Sequence, residues 1–144
     1  MQAISVIFAA FSLGCTVQDM KDGAVRRLTF VIYGLLLPAV LAASGCARMI
    51  PPALFKGLYG AVLFAAARKL SRNRMGMADI WYAAAGAGTL GFFEWHAAML
   101  AGCLAALVYA AAAGKKKIPL IPFMSLGCTG IMAAEAILKK GTMQ

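Results

Sequence analysis

Apolar residues fall in six runs, at roughly residues 2–18, 28–45, 52–68, 78–93, 96–113 and 119–138, and most of the charge lies between them. Each run holds about 16–20 residues, near the lower end of what a helix rising 1.5 Å per residue needs to cross a hydrocarbon core of ~30 Å. The pattern predicts an all-α polytopic membrane protein, a bundle of about six short transmembrane helices in one domain spanning residues 1–144. No window between the runs is long enough to fold alone. The first run has no Lys or Arg ahead of it, so it lacks the basic segment of a signal peptide and reads as a retained first helix.

Composition agrees with that pattern. Hydrophobic residues make up 62% of the 144 positions and charged residues 13%, against about 45–50% and about 25% in soluble domains. A globule this apolar has too few polar groups to cover its own surface, and a bilayer removes the requirement.

The charge that remains is strongly basic, with 14 Lys+Arg against 5 Asp+Glu. In a soluble chain this would point to nucleic acid. Here it is gathered in short gaps between apolar runs, as in cytoplasmic loops, so no nucleic-acid partner is expected. Lys21, Arg26 and Arg27, then Arg68, Lys69, Arg72 and Arg74, then Lys115, Lys116 and Lys117 occupy the first, third and fifth gaps. The opposite side holds Arg48, Lys139 and Lys140, with Lys56 near the outer end of the third run. This bias places the odd-numbered loops in the cytoplasm and both termini outside.

Cys15, Cys46, Cys103 and Cys128 form no CxxC pair and lie in or beside apolar stretches. They read as small packing residues rather than a zinc or disulfide framework. Small residues are also frequent at Ala83–Gly91 and Ala110–Gly114, where they let membrane helices approach closely. Gly86-Ala-Gly88-Thr-Leu-Gly91 matches GxGxxG, but a dinucleotide site needs a preceding strand and an aqueous helix N-terminus, so helix packing is the better reading.

The five carboxylates can be weighed singly. Asp19 closes the first run, Asp22 follows three residues later, Asp79 opens the fourth, Glu94 sits beside His96 in an outer gap, and Glu135 lies late in the sixth. An ionisable group at membrane depth costs about 2.5 kcal/mol or more and tends to be functional or paired. With alternating topology, the end of the first helix and the start of the fourth emerge on the same side, so Asp19 and Asp79 reach a common depth. Two facing carboxylates in a partly dry site share a proton, one serving as base toward water and the other as acid toward a leaving amine. The competing reading is that each Asp caps a helix end or pairs with a nearby Lys or Arg. Spacing alone leaves the two open.

Three segments carry a resemblance to a known family. Asp19-Met-Lys21-Asp22-Gly-Ala-Val25-Arg-Arg27 is similar to a D-x-R/K-x-x-x-I-P-N segment, with Arg26 and Arg27 where Pro-Asn is frequent. Gly76-Met-Ala78-Asp79 is similar to GxGD, with Ala78 in place of the second Gly and Trp81 where Lys is common. Ile118-Pro119-Leu-Ile-Pro122-Phe123 with Gly127 is similar to I-P-F-G-P-F-x-x-x-G at the start of a last helix. Together they resemble the type IV prepilin peptidases, including archaeal preflagellin peptidases, which are GxGD-type intramembrane aspartyl proteases.

The resemblance implies Asp19 and Asp79 as the catalytic pair, with Lys21, Asp22, Gly76, Ala78, Pro119 and Pro122 in supporting or substrate-binding positions. It implies a multi-pass protein of the inner (plasma) membrane that cleaves the basic leader of a prepilin-like protein substrate at the cytoplasmic boundary of the lipid bilayer, within type IV pilus or secretion systems. The cytoplasmic insertion with paired cysteines that carries methyltransferase activity in larger members is missing, so peptidase activity alone is expected. No metal or organic cofactor is implied.

Pro119 and Pro122 cannot both sit in an undisturbed helix and are expected to break it or make it re-entrant. Asp19 is preferred to Asp22, since Gly23 interrupts the helix on which both would lie. Glu94 and His96 fall on the outer side and make no site by themselves, and Glu135 has Lys139 four residues on for an ion pair. Trp81, Tyr82 and Trp95 read as interfacial aromatics. Two other functions compete with the peptidase: a small proton-coupled carrier using Asp79, and a catalytically silent relative acting in pilus assembly.

Overall fold

The computed structural model describes residues 2–72, 75–114 and 118–141. Arg74, Lys115, Lys116 and Lys117 lie outside the described residues, as do the side chains of Lys139 and Lys140. Among the described residues the fold is all-α, with α1 (Gln2–Asp22), α2 (Arg27–Ala43), α3 (Ile50–Leu70), α4 (Met77–Thr89), α5 (Phe92–Ala113) and α6 (Ile121–Gly141), and a 3₁₀ turn at Ala47–Met49 before α3.

Among the described residues three segments are long and apolar enough to cross a membrane by length and composition: Ala47–Leu70, Phe92–Ala113 and Ile121–Leu138. Large apolar side chains also cover much of the exterior, among them Val6, Leu35, Phe55, Leu100 and Leu107. Alpha-helix α4 is different. Its 13 residues come to only ~20 Å of rise, and it touches each of the other five helices, so it forms the centre of the bundle.

The fourth run does not continue to residue 93 as its hydropathy predicts. Leu90 adopts extended backbone (φ −83°, ψ 163°), and Gly91 becomes the N-cap of α5. Both flanks are apolar, so hydropathy carries no mark of this break. The free carbonyl of Leu90 is met by the Lys56 ammonium, which donates to it at 2.8 Å.

Glycine and alanine set the close contacts, as their frequency predicts. A Cβ on Gly60 of α3 would sit 2.8 Å from the Ala87 Cβ of α4, and one on Gly102 of α5 would sit 2.8 Å from the Phe123 carbonyl oxygen of α6. A Cβ on Gly127 of α6 would collide with the Ala98 carbonyl oxygen. The glycines of the GxGxxG-like segment belong to the same packing: Gly86 faces the Trp95 ring, and Gly88 faces the Ala53 carbonyl.

Two expectations for aromatics are corrected. Tyr82 and Trp95 are fully buried rather than interfacial, and only Trp81 is exposed. The interior accepts them because each polar atom finds a partner. The Trp95 indole N–H donates to the Ala83 carbonyl at 3.0 Å, and the Tyr82 hydroxyl lies 2.8 Å from Ser12 Oγ.

Candidate active site

Asp19 stands in the last turn of α1. Gln18, beside it, ties down the turn into α2: its side-chain oxygen accepts from the Arg26 amide at 3.1 Å and from the Thr29 hydroxyl at 3.2 Å. Gly23 ends α1 in the left-handed region (φ +62°), with its amide on the Asp19 carbonyl at 3.0 Å. Val25 is buried in the core beyond that turn, whereas Lys21 and Asp22 are exposed. The turn thus buries Asp19 and leaves Asp22 in solvent.

Asp79 stands in the first turn of α4. Its Oδ2 accepts the Gly76 amide at 2.9 Å, so the carboxylate reaches back over the N-terminus of its own helix, one half of a capping box. The Gly76-x-x-Asp79 spacing produces that bond, and a side chain at 76 would crowd it, since a Cβ there would lie 3.2 Å from Asp79 Oδ2. Ala78 is half-buried against the core, and Gly76 itself is exposed.

The third segment starts α6. Helix α6 begins at Ile121, with Pro122 in its first turn and Pro119 outside it. The prolines therefore do not break the helix, which corrects the expectation of a break from sequence. First-turn amides have no partner within the helix, so Pro122 costs none there. Phe123 and Met124 donate their amides to the Leu120 carbonyl, each at 3.1 Å. Pro119 is exposed and Pro122 half-buried.

These segments meet. Both Asp19 and Asp79 are 8% exposed, and each lies within electrostatic reach of the other. The Ile121 amide at the head of α6 lies close to the Asp19 carboxylate. Each acid thus sits at a helix N-terminus, Asp19 by α6 and Asp79 by α4, where the positive end of the peptide dipoles favours a carboxylate. Among the described residues neither Asp forms an ion pair, and the capping half of the competing reading holds for Asp79. Among the described residues Asp19 Oδ2 is buried with no hydrogen-bond partner. An unsatisfied buried carboxylate oxygen is costly, and it is the atom free to hold a proton or meet a water.

Sequence reasoning missed several neighbours. Cys15, one turn before Asp19, and Cys103 of α5 lie within electrostatic reach of Asp19 and Asp79 respectively. Deeper in the bundle, Ser12 and Tyr82 bond to each other, and Ser125 and Cys128 of α6 also contact the Tyr82 hydroxyl. The available signal was spacing, since Ser12 falls seven residues before Asp19 and Tyr82 three after Asp79, on the same helical faces.

Glu94 and His96 lie at the far end of α4. The Glu94 carboxylate folds over Gly91. His96 Nδ1–H donates to the Phe92 carbonyl at 2.7 Å, and its Nε2 accepts from the Tyr59 hydroxyl at 3.1 Å. Among the described residues no cluster of three or more His, Cys, Asp or Glu side chains is arranged to hold a metal. No protein-family profile, curated protein or solved structure matches the chain.

Proposed function

We propose that this chain is a membrane aspartyl endopeptidase that removes the basic leader of prepilin-like precursors at the cytoplasmic edge of the inner membrane. The observation that carries the reading is the meeting of Asp19 and Asp79 at helix N-termini, Asp79 bonded by the Gly76 amide and Asp19 Oδ2 without a partner among the described residues. The three segments that resemble the prepilin peptidases are the same three that converge there: the end of α1, the start of α4 and the start of α6.

The chemistry follows from a shared proton. The ionised carboxylate accepts a proton from water as the water oxygen attacks the scissile carbonyl carbon. The protonated partner gives its proton to the carbonyl oxygen. Collapse of the tetrahedral adduct breaks the C–N bond: the proton taken from water passes to the leaving amine, and a hydroxyl of the adduct returns its proton to the second carboxylate. The acids are regenerated, and the titration belongs to the pair rather than to either residue.

An apolar exterior and three helices of spanning length suit a bilayer, and the basic residues of the odd-numbered gaps suit a cytoplasmic face. A shallow open groove between α3 and α4 is lined by Ala61, Val62, Ala65, Arg68, Met77 and Ile80.

The test is co-expression with a prepilin precursor and comparison of precursor size for the wild type, Asp19→Asn and Asp79→Asn. Asn keeps the shape and removes the titrating proton. The wild type shortens the precursor and neither variant does. Full processing by either variant would show that the peptidase assignment is wrong.

A further inference from the structure

The interior of the bundle holds a polar seam that the hydrolytic chemistry does not use. Ser12 of α1 and Tyr82 of α4 are completely buried, and their hydroxyls are 2.8 Å apart. Ser125 of α6, 8% exposed, is the third hydroxyl at this point. Around it the packing is aromatic: the Tyr82 ring stacks on Phe11 at 6.0 Å and 10°, and Phe8 lies 6.2 Å away.

Three helices thus bring hydroxyls together, Ser12 and Tyr82 within bonding distance, in a core otherwise filled by Phe8, Phe11, Ala83, Met124 and Ile121. Contacts among apolar side chains are non-directional and fix axial register less sharply than a hydrogen bond does. A buried hydrogen bond is directional and is lost on sliding, which leaves an unsatisfied hydroxyl. For this reason single buried polar contacts fix register in helix bundles.

The three helices joined here are the ones that meet at the carboxylates: α1 brings Asp19, α4 brings Asp79, and α6 brings the Ile121 amide. Tyr82 lies on the same face of α4 as Asp79, and Ser12 on the same face of α1 as Asp19.

We propose that Ser12, Tyr82 and Ser125 form a clasp that sets the axial register of α1, α4 and α6 and so holds Asp19 against Asp79, with Tyr82 as a positioning residue. The consequence for cleavage rests on the peptidase reading, whereas the consequence for helix register does not.

Two arms test it. In the first, Met20→Cys on α1 and Met77→Cys on α4, both exposed positions, are spin-labelled in a chain with Cys46→Ser and Cys103→Ala. The distance distribution is then compared with and without Tyr82→Phe. The clasp predicts a shifted or broadened distribution in the Phe variant, and an unchanged distribution overturns it.

In the second, leader cleavage and thermal unfolding are measured for Tyr82→Phe, Ser12→Ala and the double variant. Removing both partners of a buried bond restores much of the stability lost on removing one. The clasp predicts that the double variant regains its melting temperature yet stays on the order of tenfold or more slower in kcat. Its KM is little changed, and its pH optimum is displaced. Recovery of rate together with stability would show that the hydroxyls serve stability alone. If Asp19→Asn still cleaves, the peptidase reading falls while the spin-label distances continue to decide the clasp.

Discussion

The two ends of α4 carry similar ingredients and treat them differently. At its C-terminal end, Lys56, Tyr59, Glu94, Trp95 and His96 bring polar and titratable groups around the start of α5. Both His96 ring nitrogens are bonded, Lys56 serves the Leu90 carbonyl, and the Trp95 indole serves Ala83. At its N-terminal end, Asp79 and Asp19 are buried together, and among the described residues they form no ion pair and one Asp19 oxygen has no partner. Polar groups that a fold buries for stability are satisfied. A carboxylate left short of a partner, beside a second one, has the arrangement expected of a group reserved for chemistry. The difference teaches that polarity within a bundle does not mark a site, whereas two carboxylates buried side by side, one of them short of a partner, do.

The largest effect that would break this contrast is on cleavage. Asp19→Asn and Asp79→Asn are each expected to slow leader cleavage by at least about a hundredfold, with little change in thermal unfolding. Comparable loss in Glu94→Gln would erase the distinction between the ends. Next comes stability at the opposite end. Trp95→Ala removes a fully buried side chain and is expected to cost about 3 kcal/mol in an unfolding titration, while the fraction that stays folded cleaves at the normal rate.

His96→Phe keeps the ring packing and removes both bonds, leaving the Tyr59 hydroxyl and the Phe92 carbonyl without it. The expected loss is about 1 kcal/mol of stability, read by the same titration, with cleavage unchanged. The smallest effect is expected for Asp22→Asn. Asp22 is exposed just before the Gly23 turn, so cleavage should stay within about twofold of wild type. A hundredfold loss there would transfer the role of Asp19 to its neighbour.

Much of the helical plan was legible because continuous apolar runs with charged gaps leave few other solutions. The boundaries of α1, α2, α3, α5 and α6 lie within a few residues of the runs. The end of α4 was not legible, because Leu90, Gly91, Phe92 and Phe93 are uniformly non-polar and the break depends on backbone conformation at Leu90 and Gly91. Tyr82 and Trp95 were misread for a related reason. An aromatic with one polar atom suits an interface or an interior equally, and only the presence of Ser12 and the Ala83 carbonyl decides between them.

The candidate site divides in the same way. That Asp19 and Asp79 emerge at one end of the bundle follows from topology and could be read from charge and hydropathy. The amides that hold them depend on the third dimension. The Ile121 contact joins residues about a hundred positions apart, and the prolines around it pointed toward a broken helix rather than toward the start of one. Pro122 shows why: a proline reads as a breaker only where an amide is needed, and in the first turn none is.

The central claim is that Asp19 and Asp79 act as one unit, and a double-mutant cycle on the rate of leader cleavage by protein reconstituted in vesicles tests it most directly. If the two carboxylates share one proton and one water, Asp19→Asn combined with Asp79→Asn loses no more activity than either substitution alone. Losses that multiply in the double variant would mean two independent groups, and the account would be wrong.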